Sequence, residues 1–184
     1  TVTNDMELKN NGDLKTAFYE NKASTGKLEV AKKAAGNLDT DKSFTFKIDS
    51  FGTVISRELD AKLVTESSSK NIQISFNEVG NAEFNLKPGQ YVTIDGVPFG
   101  KYEVSEQVED GITTSWMTTS GSGNDNQDDG TVADPIAVEK NLTSSVEFTN
   151  RPLEGDLIVS KDVLNMQAGD ADKEFEFTLM VTDK

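Results

Sequence analysis

The 184-residue sequence contains no cysteine and no histidine. The first absence excludes disulfides, thiolate metal sites, cysteine nucleophiles and thioester chemistry. The second removes imidazole general bases, most catalytic triads and most zinc sites. Positive charge is scarce: 18 Lys and Arg stand against 32 Asp and Glu, for a formal net charge of −14. Such a surface repels phosphate backbones and anionic lipid, so neither nucleic acid nor membrane is an expected partner of this segment. No apolar run approaches the roughly 18 residues that a membrane helix needs. No phosphate-binding loop and no catalytically spaced pair of carboxylates is present, so an enzyme acting on an external substrate is not expected, nor is a cofactor.

What the sequence does contain is a repeat. Residues 26–32 read G-K-L-E-V-A-K and residues 155–161 read G-D-L-I-V-S-K, 129 positions apart. Asn21 stands five residues before Gly26, and Asn150 stands five before Gly155. Further on, Lys42-Ser43-Phe44-Thr45-Phe46 is echoed by Lys173-Glu174-Phe175-Glu176-Phe177, now 131 positions apart. A fixed period of this kind marks a tandem array. The expected organisation is the closing strands of a preceding module over 1–25, one complete module over 26–154, and the opening strands of a following module over 155–184.

Within the middle module, short runs alternate with period two. Leu28, Val30 and Lys32 share a face, as do Phe44, Phe46 and Ile48; Ile72, Ile74 and Phe76; Tyr102, Val104 and Glu106; Ile112, Thr114 and Trp116; and Val146, Phe148 and Asn150. Turn signals such as Lys87-Pro88-Gly89, Asp95-Gly96 and Asp110-Gly111 separate the runs. The pattern predicts an all-β, Ig-like Greek-key sandwich with one wet face per sheet. The run from Ser56 to Ser69 carries weak helical spacing and is a candidate short helix. Gly121 to Gly130 reads as a flexible polar loop.

Three polar residues sit on faces that are otherwise apolar: Lys32, Glu106 and Asn150. Lys and Glu are rarely fully buried unless paired. Burial disfavours both charges. A neutral amine is a nucleophile, and a protonated carboxylic acid can donate a hydrogen bond to an amide carbonyl and shuttle protons. The expected chemistry is attack of the Lys32 amine on the Asn150 side-chain carbon with loss of ammonia, leaving an isopeptide bond. Lys33, of opposite parity, is the decoy. A strand-end Lys that snorkels to solvent and an Asn that only turns the chain before Arg151-Pro152 are the bland alternatives.

The order L-x-V-x-K, then G-V-P-F-G-K-Y-E-V-S-E, then V-E-F-T-N resembles the collagen-adhesin B-type (Cna-B-like) domains of Gram-positive surface adhesins and pilus subunits. The resemblance covers the whole middle module. It implies the sandwich fold, the Lys32–Asn150 cross-link, Glu106 as its catalytic acid, and Lys161 and Asn21 as half-sites of neighbouring modules. It also implies an extracellular, cell-wall-anchored stalk or pilus element. Its partners would be neighbouring repeats or subunits, and beyond them host matrix or another cell surface. No Tyr-Pro-Lys motif is present. Lys140 is a faint candidate for inter-subunit linkage, although Lys9 repeats its context. A competing expectation is a ligand- or calcium-binding adhesive module, with Trp116 on the ligand and Asp125, Asp128 and Asp129 supplying oxygen ligands. Asn141-Leu142-Thr143 fits a glycosylation sequon, a coincidence in a bacterial protein.

Overall fold

The computed structural model describes residues 24–51, 57–107, 109–155, 157–165, 167–169 and 173–180. Asn21, Lys9 and all of the expected closing strands over 1–25 except Ser24 and Thr25 lie outside the described residues. Two compact units are present, Thr1–Leu153 and Glu154–Lys184.

The described part of the first unit is a sandwich of eleven strands without a helix: β1 (Thr25–Ala34), β2 (Phe44–Phe51), β3 (Glu58–Val64), β4 (Ser69–Ser75), β5 (Asn81–Leu86), β6 (Gln90–Pro98), β7 (Gly100–Glu106), β8 (Ile112–Thr119), β9 (Asp125–Asp129), β10 (Ile136–Val138) and β11 (Thr143–Pro152). One sheet has the order β4-β3-β6-β1-β11-β8-β9 and the other β10-β7-β2-β5. The inward positions of both sheets form one core that includes Leu28, Val30, Phe44, Phe46, Ile48, Val104, Trp116, Val146 and Phe148. Trp116 thus belongs to the core.

Two local readings are corrected. Ser56 lies outside the described residues; the rest of the candidate helix, to Ser69, is instead β3 and the turn into β4, the two strands paired from Glu58↔Ser75 to Val64↔Ser69. Leu59 and Ala61 alternate inward at period two, so their burial against the sheet overrides the weak helical spacing. The polar loop contains β9, paired antiparallel to β8. Its five residues are all exposed, so no apolar alternation betrays it. The N–H groups of Gln127 and Asp129 are taken by the side chains of Asn126 and Asp128, at 3.0 and 2.8 Å. That satisfies donors an edge strand would otherwise offer to another chain, and the negative charge adds to the protection.

The first and last strands are neighbours. β1 runs parallel to β11, with Lys32 opposite Phe148 and Ala34 opposite Asn150. Lys32 and Asn150 are therefore diagonal neighbours on one face, within reach of a long side chain. β7 lies in the facing sheet, where Glu106 pairs with Phe46 of β2.

At the other end of β1, Gly26 passes against the turn between β10 and β11. A Cβ there would fall on the Glu139 carbonyl oxygen, 2.9 Å from the Leu142 carbonyl oxygen and 3.0 Å from the Val138 side chain. Its repeat counterpart Gly155 has open space around it. Gly26→Ala should destabilise by about 1–3 kcal/mol, the usual cost of overpacking against backbone. Gly155→Ala should leave the denaturant midpoint unchanged, and equal midpoints for the two variants would contradict this packing.

Candidate functional site

Lys32, Glu106 and Asn150 converge in the core, at relative exposures of 1%, 3% and 0%. Strand parity places them there: each continues an inward apolar series, Leu28-Val30, Tyr102-Val104 and Val146-Phe148. Lys32 Nζ donates to Glu106 Oε2 at 2.8 Å. Asn150 Nδ2 donates to the other oxygen, Oε1. One carboxyl group thus holds the amine nitrogen on one oxygen and the amide nitrogen on the other.

The surroundings are apolar and aromatic. Lys32 Nζ lies 4.4 Å from the centroid of the Phe44 ring. Phe46 and Phe148 meet edge to face at 5.5 Å. Burial in this site lowers the Lys32 pKa from the ordinary 10.5, while the hydrogen bond and the charge of Glu106 pull the other way. The shift favours the neutral, nucleophilic amine.

Asn150 Oδ1 is buried without a hydrogen-bond partner among the described residues. An orphan acceptor of this kind costs about 1–3 kcal/mol. In this arrangement the Asn150 amide N–H donates to Glu106, and no donation from Glu106 to the amide carbonyl is present. A carboxylate paired with an ammonium is an acceptor only, so it takes the amide N–H. Donation toward Oδ1 requires that the ammonium proton first move to Glu106.

Elsewhere, Lys33 points outward and pairs with Glu147 at 2.8 Å. Tyr102, four residues before Glu106 on the same inward face, is fully buried and donates from Oη to the Pro98 carbonyl at 2.8 Å, which ties β7 to the end of β6. Burial pushes its phenol up to about 12. Asp125, Asp128 and Asp129 lie along the exposed strand β9, and no group of three or more metal-ligating side chains occurs among the described residues. Lys140 is exposed in the turn after β10, and Asn141 beside it has a left-handed backbone at φ 59°. In the second unit Lys161 Nζ lies 4.4 Å from the Phe175 ring, the same separation as Lys32 from Phe44. The sequence pattern identified the three converging residues but not the aromatic ring on the amine; the repeated Lys-x-Phe at 42–44 and 173–175 was the available signal.

The two-sheet sandwich has its first and last strands adjacent and this buried triad between its sheets. Residues 26–151 match the family described as a domain of unknown function (DUF7601), and the chain belongs to that family. No curated protein sequence matches it. Among solved structures it is similar to the major pilin from Streptococcus pyogenes, at TM-score 0.59 and 20% identity over 70% of this chain and 48% of the pilin. A variant of that pilin with one Asn replaced by Ala gives TM-score 0.62 at the same identity and coverage. The pilus-presented adhesin Cpa gives TM-score 0.50 at 20% identity, over 70% of this chain and 28% of the adhesin. The matched region thus spans about half the length of the pilin. At this identity the likeness establishes the fold.

An Asn150→Ala variant, which keeps Lys32 but lacks the neighbouring amide, exposes the electrostatics of Lys32. Between the lowered folded value and 10.5 the unfolded chain holds a proton on Lys32 that the folded protein does not. The penalty for burying the charge is fully present below that window, and stability rises with pH through it. Urea midpoints of Asn150→Ala should therefore climb toward pH 10.5 relative to an Asn150→Ala, Lys32→Met chain. A pH-independent difference would contradict a desolvated Lys32.

Proposed function

We propose that this chain is a structural stalk or spacer segment of a bacterial surface adhesin or pilus, extracellular and anchored to the cell wall, whose middle module is braced by a self-formed isopeptide bond between Lys32 and Asn150. The observation that carries this reading is the Glu106 carboxyl bridging the two nitrogens that the reaction exchanges. Glu106 takes the ammonium proton, and the neutral Lys32 Nζ attacks Cγ of Asn150. The Cγ–Nδ2 bond then breaks, and the proton lost by the amine leaves on the departing nitrogen as ammonia. One new amide replaces one old amide, with no oxidant and no added cofactor. Holding amine, acid and amide together in a dry core supplies the effective molarity that an unactivated amide needs. The event occurs once per molecule and is maturation rather than turnover.

Topology supports the mechanical role. Tension applied through the chain ends enters at β1 and leaves through β11, which are parallel neighbours. A bond from Lys32 to Asn150 bypasses everything between them. It closes a loop of 118 residue steps, from position 32 to position 150, worth roughly 4–5 kcal/mol in the chain-entropy treatment used for disulfides. The repeat, and the matching Lys161–Phe175 contact in the second unit, support reading residues 155–184 as the start of a following module. Asn21 would then be the corresponding half-site of a preceding one. Similarity in fold to a pilin and a pilus-presented adhesin supports the surface location and partners within the same fibre or surface protein.

The purified protein should weigh one ammonia less than its sequence, and peptide mapping should join Lys32 to Asn150. Lys32→Ala, Glu106→Ala and Asn150→Ala should each restore the full mass, whereas Lys33→Ala should keep the deficit. A deficit that survives Lys32→Ala would overturn the assignment.

A further inference from the structure

Two ammonium groups approach the ring of Phe44. Lys32 Nζ lies 4.4 Å from its centroid and Lys42 Nζ 5.5 Å. The two nitrogens are therefore no more than 9.9 Å apart, the sum of those distances. Lys32 is buried. Lys42 is about one-third exposed and pairs with Glu109, Nζ to Oε2, at 2.9 Å. Glu109 stands three residues after Glu106, on the connection leaving β7, and Lys42 stands two residues before Phe44, on the chain leading into β2. Beside the pair, the Gln107 N–H donates to the Thr45 carbonyl at 2.9 Å. The ion pair thus joins the ends of the two strands that bring Phe44 and Glu106 to Lys32. The Lys-x-Phe spacing recurs at Lys173 and Phe175, where the ring again meets a lysine ammonium.

We propose that Lys42 and Glu109 form a positioning latch for the Lys32 amine. The inference rests on the reading of Lys32 as nucleophile and names residues that act on it from outside. With the latch closed, the end of β7 and the start of β2 are clamped, and the Phe44 ring stays against the Lys32 amine. With it open, the two chain ends part and water reaches the ring. The long Lys32 side chain then regains access to solvent, its ordinary preference. Each lost contact lowers the fraction of molecules in which the amine faces Asn150. Neither Lys42 nor Glu109 touches the reacting atoms.

The test follows ammonia loss by intact mass at timed intervals after cell-free synthesis of the full chain. Lys42→Ala and Glu109→Ala should each slow the loss by about two- to fivefold, the range a partly exposed ion pair supports. The charge-swapped chain carrying Lys42→Glu and Glu109→Lys should recover most of the wild-type rate. The wild-type rate should also fall toward that of the single variants between about 0.05 and 0.5 M salt, while the single variants stay flat, because screening acts only where the pair exists. A structural contribution unrelated to the charges would not produce the rescue or the salt profile. Single variants that react at the wild-type rate, or a swap that fails to rescue, would overturn the latch and leave the cross-link standing. A wild-type chain that never loses ammonia would overturn the cross-link itself, and the role given to the pair with it.

Discussion

The structure turns on one carboxyl group held where a charge does not belong. Glu106 is buried in an aromatic core with Lys32 on one oxygen and Asn150 on the other. Moving two opposite charges into such a medium costs several kcal/mol per ion after relaxation, and their attraction repays this only with good geometry. As a stabilising device the pair is a poor choice; apolar residues of similar volume would serve the sandwich as well or better. The arrangement makes sense as a store of reactivity. The same desolvation that penalises the ion pair favours the neutral amine, and in the proposed reaction the carboxyl that would accept the proton already contacts the nitrogen that would leave. The Asn150 oxygen, without a partner among the described residues, fits the same proposal: a proton passed from Lys32 to Glu106 would supply a donor for it.

The fold supplies this geometry through strand order. Placing β1 beside β11 brings the two ends of the module together, and their parallel direction sets Lys32 diagonally across from Asn150. The facing sheet then needs only one inward residue at the end of β7 to bridge them. The site therefore sits where force between the chain ends would pass, so the proposed bond and the proposed mechanical role would share one location. Chemistry, not redox state, would maintain such a brace, which suits a chain with no cysteine.

Much of this was legible in the sequence because a period of two is a strong signal when both sheets bury one face. Alternation alone put Lys32, Glu106 and Asn150 inward and Lys33 outward, and the structure places them so. The elements that escaped lacked that contrast. β3 carries Glu, Asp and Lys on its outer positions, and Leu59 and Leu63 fall at a helix-compatible spacing; its pairing with β4 and β6 decides for strand. β9 has no apolar residue, and its existence depends on backbone pairing with β8. The Lys42–Glu109 contact joins residues 67 positions apart, and no local pattern reports so distant a surface pair.

Stretching the chain between a point before β1 and a point after β11, in a single-molecule force measurement, tests the central claim most directly. If Lys32 and Asn150 are bonded, the middle module should add no unfolding step, because the 118 residue steps between them are shielded from tension. An Asn150→Ala chain should release those residues in one event of about 400 Å, the extended length of that segment at roughly 3.3–3.6 Å per residue. A step of that size in the wild-type chain would contradict the account, since it would mean that the first and last strands are held by hydrogen bonds alone.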